Sequence, residues 1–171
     1  VKATFTEEAF TLYRRSCEAS NEPDKGKRGT FIDNYCQQNI VSRELISPID
    51  PLCTIRLGCF HMNYRIDGVL VGVGVVDVVP RGISSVYFFC EPELGPLELD
   101  LISGITELEF VASKTPLFPT FRYCYEGVIV LESSTNTTRS QFLPSQILDP
   151  KTLEYIPFTE ELRKQLKAVE K

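Results

Sequence analysis

Residues 61–93 read HMNYRIDGVLVGVGVVDVVPRGISSVYFFCEPE, and this stretch decides the fold. Two apolar, β-branched runs, 69–79 and 83–90, are joined by Pro80-Arg81-Gly82, and a shorter run, 59–66, enters through Asp67-Gly68. Asp-Gly supplies the positive φ angles of a tight primed turn, and a Pro-containing turn cannot continue a strand ladder. Three successive antiparallel strands are predicted.

Working outward, residues 97–114 carry Leu97, Leu101, Ile105, Leu108 and Val111 at the spacing of one buried helical face. A further strand is predicted over 121–131, so the core order is β-β-β-α-β. Upstream, Thr6 stands as N-cap before Glu7 and Glu8, whose carboxylates suit the positive end of a helix dipole. Phe10, Tyr13 and Cys17 follow at helical spacing, which predicts an amphipathic helix over 6–19. Residues 20–29 read as a loop. A short helix over 30–39 would put Phe31, Tyr35 and Cys36 on one face. Residues 42–50 read as an exposed connection into a strand at 53–64. Downstream, 132–140 is a polar Ser/Thr loop and 144–157 is extended and turn-rich. Thr159-Glu160-Glu161 opens a last helix bearing Leu162, Leu166 and Val169. No repeat or low-complexity linker divides the chain, so the expectation is a single domain over 1–171: a helical lead-in and strand entry (1–58), a core (59–131) and a tail with a terminal helix (132–171).

Net charge is −5 and the sequence pI is near 5.0, which argues against a broad electrostatic footprint for nucleic acid. No apolar run reaches membrane-spanning length, and no charged-then-apolar leader is visible. The chain starts with Val rather than Met, pointing to a processed chain or a fragment. Six cysteines (17, 36, 53, 59, 90, 124) include no Cys-x-x-Cys, and a core-rich chain of this size needs no staples. Free thiols in a reducing, intracellular compartment are expected, either cytoplasm or an organelle such as the mitochondrion. With one histidine and no ligand spacing, neither metal nor cofactor is expected. The Asn136-Thr137-Thr138 sequon is read as chance.

The chemistry-bearing residues are few. No Ser-His-Asp or Cys-His set and no Gly-x-Ser-x-Gly elbow exist. Asp77 interrupts an apolar strand, and an unpaired carboxylate there is costly, so it must face solvent, pair, or line a cleft. His61 and Tyr64 are either strand residues with ordinary partners or substrate contacts. Ser84, Ser85 and Tyr87 either touch substrate or satisfy the Pro80-Gly82 turn, and the turn is the preferred reading for Ser84.

The run His-x-x-Tyr (61–64), Asp67-Gly68, Val-x-Val-x-Asp (73–77), the Pro turn and Ser84-Ser85-Val86-Tyr87 resembles the carboxy-terminal domain of arginyl-tRNA–protein transferases. Weaker similarity extends over about 5–157. The resemblance implies an α+β, GNAT-like fold: a mixed, mostly antiparallel sheet with flanking helices. It also implies transfer of an aminoacyl group from aminoacyl-tRNA to acidic protein N-termini, a reaction that can proceed by positioning because the ester is already activated. In that reading His61 and Arg65 favour the acidic side chain, Tyr64, Ser85 and Tyr87 contact substrate, and Asp77 is the catalytic candidate that holds or deprotonates the amine.

Departures from the family pattern cluster where a polyanion is expected. Leu99-Asp100 replaces Leu-Gly, Glu91-Pro92-Glu93 replaces Asp-Pro-Asp, and Thr106-Glu107-Leu108-Glu109 replaces an Arg-Glu pair. The His-Ser-Cys-Pro-Lys-x-x-Tyr-Lys-Gly pattern has become LESSTNTTRS at 131–140, and each lost cation weakens RNA binding. Two readings stay open. The preferred one is a degenerate, inactive transferase-like domain serving as a structural or interaction subunit among protein partners in a larger assembly. The other is an active transferase domain assisted by a missing domain or partner. An acetyl-CoA-dependent acetyltransferase is weaker, because acids stand where a Gly-rich pyrophosphate turn would be.

Overall fold

Asp67 and Gly68 take φ values of 48° and 83°, the left-handed pair that a primed hairpin turn demands. They join β2 (Thr54–Ile66) to β3 (Val69–Val79), and Pro80-Arg81 turns β3 into β4 (Gly82–Cys90). These three long strands form the antiparallel centre of the sheet in this computed structural model, which describes residues 1–21, 26–37, 40–128 and 142–169. Contacts divide the chain into two units, Val1–Gly127 and Val128–Lys171.

In the first unit the sheet order is β1-β2-β3-β4-β5. Strand β1 (Arg43–Ile46) lies antiparallel on β2, so part of the segment expected to be an exposed connection is an edge strand. Its four residues are too few to show a period of two. Strand β5 (Tyr123–Tyr125) pairs parallel to the start of β4, Gly82 opposite Tyr123 and Ser84 opposite Tyr125. It is shorter than the strand expected over 121–131: residues 126–128 are not strand, and 129–131 lie outside the described residues. The polar loop at 132–140 and the sequon also lie outside them, and the loop at 20–29 is described only in part. The α+β architecture, mostly antiparallel with flanking helices, agrees with a GNAT-like fold.

Helix α1 (Glu7–Ala19) is capped by Thr6, whose hydroxyl accepts from the Ala9 N–H at 3.2 Å. It covers one sheet face together with α2 (Arg28–Phe31), which runs on into a wide helical turn, Ile32–Cys36. Tyr13, Phe31 and Phe89 are fully buried there, with ring centroids 5.0 to 5.9 Å apart. Each buried aromatic contributes about 1.5–3 kcal/mol. As expected, Phe31, Tyr35 and Cys36 share this face.

The opposite face takes α3 (Leu99–Lys114), entered through the 3-10 turn Pro92–Leu97 and a left-handed Glu98 (φ 48°, ψ 46°). Its orientation corrects the sequence reading. The buried row is Leu99, Ser103, Glu107 and Val111, together with Gly104, whereas Leu97, Ile105 and Leu108 are exposed. Of the predicted row Val111 is buried and Leu101 half-buried, so apolar spacing found the helix but set its buried face partly askew. Two polar side chains hydrogen-bonded to the sheet hold that face.

In the second unit, β6 (Gln146–Leu148) and β7 (Tyr155–Pro157) form an antiparallel hairpin within the segment read as extended. Thr159 caps α4 (Glu160–Val169) by accepting from the Leu162 N–H at 3.2 Å. No helix among the described residues is long and apolar enough to cross a membrane.

Candidate functional site

Side chains paired across neighbouring strands share a face, so the strand register sorts the candidate residues. Toward α1 the register sets out the row His61–Val75–Tyr87 and, one row on, Cys59–Asp77–Ser84, with Tyr125 of β5 opposite Ser84. Toward α3 it sets out Tyr64–Gly72–Cys90, Met62–Gly74–Phe88 and Phe60–Val76–Ser85. The predicted residues therefore do not form one site. His61, Tyr87 and Asp77 stand on one side of the sheet, and Tyr64 and Ser85 on the other.

On the α1 face, His61 is 3% exposed and its Nε2 lies 2.8 Å from the Tyr35 carbonyl. A carbonyl only accepts, so Nε2 carries the proton and donates. Burial pushes the imidazole pKa below its ordinary value, partly offset by that backbone bond, so the ring is neutral at pH 7. Tyr35 in turn stacks on Tyr87, centroids 4.7 Å apart and planes 13° from parallel. These residues clamp the wide turn of Ile32–Cys36 onto the sheet. Arg65 leaves its expected partner: both terminal nitrogens bind the Glu8 carboxylate of α1, at 2.9 and 2.7 Å, and one also donates to the Gly68 carbonyl at 2.8 Å. Asp77 is half-buried, and no hydrogen bond or ion pair holds its carboxylate among the described residues.

On the α3 face a chain of hydroxyls leads to a carboxylate. Tyr64 Oη donates to Ser103 Oγ at 3.1 Å, and Ser103 donates to Glu107 Oε1 at 3.1 Å. Ser85 lies 3.4 Å from the same oxygen. Ser103 and Glu107 are fully buried, and their approach needs Gly74, where an added Cβ would sit 2.9 Å from Ser103 Oγ. This network docks α3 onto the sheet, with Tyr64 and Ser85 half-buried at its outer end. The sequence reading missed Ser103 altogether and counted Glu107 only as charge; a glycine facing a serine at a helix–sheet contact leaves no one-dimensional signal.

The β4–α3 junction is acidic. Between Arg81 and Lys114 the chain has no Lys or Arg, but it holds Glu91, Glu93, Glu98, Asp100, Glu107 and Glu109. Arg15 of α1 pairs with Glu91 at 2.6 Å; Glu93 and Glu98 are exposed. A helix N-terminus with this surround repels phosphate. The other changed segment, 131–140, lies outside the described residues. Neither Cys36 nor Cys90 is a ready nucleophile: burial pushes Cys36 up to about 11, and burial followed by the charges of Asp100 and Glu91 raises Cys90.

Comparison with known proteins places this geometry in a family context. The family described as arginine-tRNA-protein transferase, C terminus, matches residues 8–149. The chain is 31% identical over 162 residues to arginyl-tRNA–protein transferase 1 of Arabidopsis thaliana, covering 92% of this chain and 25% of that protein. It is 35% identical over 109 residues to the Drosophila melanogaster protein of the same name, covering 64% and 22% respectively. It is 31% identical over 99 residues to an aspartate/glutamate leucyltransferase of Pseudomonas entomophila, covering 54% and 34%. The chain thus spans about a quarter of the length of the Arabidopsis relative.

Proposed function

Because the chain belongs to the arginine-tRNA-protein transferase C-terminal family, we propose that it keeps the family's acyltransferase scaffold without its transfer activity and serves as an interaction subunit in a larger protein assembly. The observation that carries this reading is the β4–α3 junction, where Glu93 and Glu98 stand exposed beside a helix N-terminus and no cation occurs from residue 82 to 113. A polyanionic donor loses affinity with every phosphate contact that is missing, and more where an acid replaces it. His61 and Arg65 add support. One is a buried neutral imidazole bound to backbone, and the other is forked onto Glu8, so neither is disposed to receive an acidic side chain. An apolar stripe on the outer face of α3, Ile102, Ile105 and Leu108, each about two-fifths exposed, suits a protein contact.

Asp77 favours a second reading, retained transfer. A half-buried carboxylate with no partner among the described residues can accept a hydrogen bond from an α-amine and orient its lone pair toward an ester carbonyl. The amine nitrogen then bonds to the acyl carbon, the bond to the ribose oxygen breaks, and that oxygen takes up a proton. The relatives named as arginyl- and leucyltransferases carry out reactions of this class.

The deciding experiment incubates the purified protein with arginyl-tRNA, or with leucyl-tRNA, and a peptide beginning with Asp. No extended peptide above background is expected. A product that forms with the wild type and vanishes in Asp77→Asn overturns the inactive reading. For the assembly role, the protein should co-purify from its native source in fixed ratio with a large complex; recovery as a free monomer counts against it.

A further inference from the structure

We propose that the β3–β4 turn and the start of β5 form a site for a nucleoside monophosphate, with Arg81 and Arg122 taking the phosphate and Tyr125 the base. The site is built from the backbone outward. The Arg81 carbonyl accepts the N–H groups of both Arg122 and Tyr123, at 3.0 and 3.1 Å. Gly82 lets the strands meet this closely, since a Cβ there would lie 1.8 Å from the Tyr123 carbonyl oxygen. The two arginines are thereby fixed side by side. Their guanidinium carbons stand 5.1 and 5.3 Å from the Tyr123 ring centroid, and Arg122 Nη2 donates to Tyr123 Oη at 3.1 Å. That bond, with the charge of Arg122 behind it, holds the phenol below its ordinary pKa.

The lack of a counter-charge points to a ligand. Acids outnumber bases by 23 to 18 in this chain, and Arg14, Arg15, Arg28, Arg56, Arg65 and Arg163 each meet a glutamate. Arg81 and Arg122, like the exposed Arg43, form no ion pair among the described residues; they differ from Arg43 in standing side by side, where a shared anion would relieve their mutual repulsion. Two forked cations match a phosphate monoester dianion better than a singly charged carboxylate. Tyr123 has its ring covered by the guanidinium groups, but Tyr125, half-exposed and 6.0 Å away at 38°, offers a surface for a flat base. The site lies at the start of β4, about 26 Å along the strand from the acidic junction, and Tyr125 stands opposite Ser84 in the row that holds Asp77, so the repulsion argued at that junction does not bear on it.

The test titrates protein carrying labelled tyrosine rings with AMP, adenosine, inorganic phosphate, a phosphoserine peptide and an oligoribonucleotide lacking terminal phosphate, read by NMR. AMP should shift the Tyr123 and Tyr125 signals saturably, about tenfold more tightly than inorganic phosphate, because stacking adds to the charge-assisted bonds. Arg81→Gln with Arg122→Gln should weaken AMP at least about tenfold while the buried Tyr13 signal stays in place. Tyr125→Leu should bring AMP down to the level of phosphate. Adenosine binding as well as AMP, or phosphate no weaker than AMP (an adventitious ion only), overturns the proposal. So does tighter binding of the phosphopeptide or oligoribonucleotide, unchanged binding in the double arginine variant, or no saturable shift with AMP.

Discussion

Gly74→Ala tests how α3 is seated. The added methyl would lie 2.9 Å from Ser103 Oγ, 3.6 Å from Met62 Cβ and 3.8 Å from Tyr64 Cε2. The last two are ordinary contacts; the first requires Ser103 to move. Ser103 is fully buried and bonded on both sides, accepting from Tyr64 and donating to Glu107, so moving it strains both bonds. Removing a glycine from a strand stabilises by about 0.4–1 kcal/mol through the unfolded chain. Overpacking costs about 1–3 kcal/mol, and a weakened buried hydrogen bond about 1 kcal/mol more. The clash wins, and a net loss of about 1–3 kcal/mol is expected in urea unfolding, with the denaturant slope unchanged. Ser103→Ala alone should cost a similar amount, because Tyr64 and Glu107 each lose a partner. In that background the space is vacant, and Gly74→Ala should then be neutral or slightly stabilising. A coupling of at least about 1.5 kcal/mol between the two sites is therefore expected. Simple additivity, within about 0.5 kcal/mol, would refute this seating of the helix.

Three further perturbations have defined outcomes. His61 is neutral when folded, with its pKa lowered, so the unfolded chain binds the extra proton once pH falls below about 6.5; stability should decline from there by at most about 1.4 kcal/mol per pH unit and level off below the folded pKa. His61→Gln should remove that part of the slope, and an unchanged slope between pH 7 and 5 would contradict the buried neutral ring. Gly82→Ala places a methyl 1.8 Å from the Tyr123 carbonyl oxygen, which backbone cannot yield cheaply; a loss of more than about 3 kcal/mol, or amide exchange showing β5 detached, is expected, and a variant with wild-type exchange at residues 123–125 would count against the parallel pairing. With its thiol pushed up to about 11, Cys36 should be alkylated at pH 8 through a thiolate population on the order of one in a thousand, its rate rising about tenfold per pH unit to pH 10; rapid labelling at pH 7 would disprove its burial.

The legible parts of the fold were those whose causes are local. The Asp67-Gly68 and Pro80-Arg81 turns announce the hairpins, and Thr6 before two glutamates announces α1. Strands β1, β6 and β7 are three or four residues long and borrow their order from a neighbour in space, so periodicity had nothing to register. Helix α3 was found, but its facing was misread. Counting apolar residues cannot see that Tyr64, 39 residues upstream of Ser103, turns a serine and a glutamate into good interior residues.

The candidate residues were scattered for a reason of parity. In a strand, residues two apart share a face, so Ser85 and Tyr87 read from sequence as neighbours in one site. Between them Val86 is a bulge: Val75 pairs with Tyr87 while Val76 pairs with Ser85, and the extra residue inverts the alternation. Ser85 accordingly turns to Glu107 on the α3 side, and Tyr87 to Tyr35 on the α1 side. A second bulge, at Val71 of β3 opposite Tyr64 and Arg65, leaves β2 itself regular, and ordinary alternation sends Tyr64 to Ser103 and Arg65 to Glu8. Both pairs that the linear motif had joined are thereby split, one by a bulge and one by alternation, and the halves dock different elements onto the sheet. Contacts that dock helices and turns thus engage five of the six predicted site residues, His61 included through Tyr35, and Asp77 is the sixth, with no such contact among the described residues.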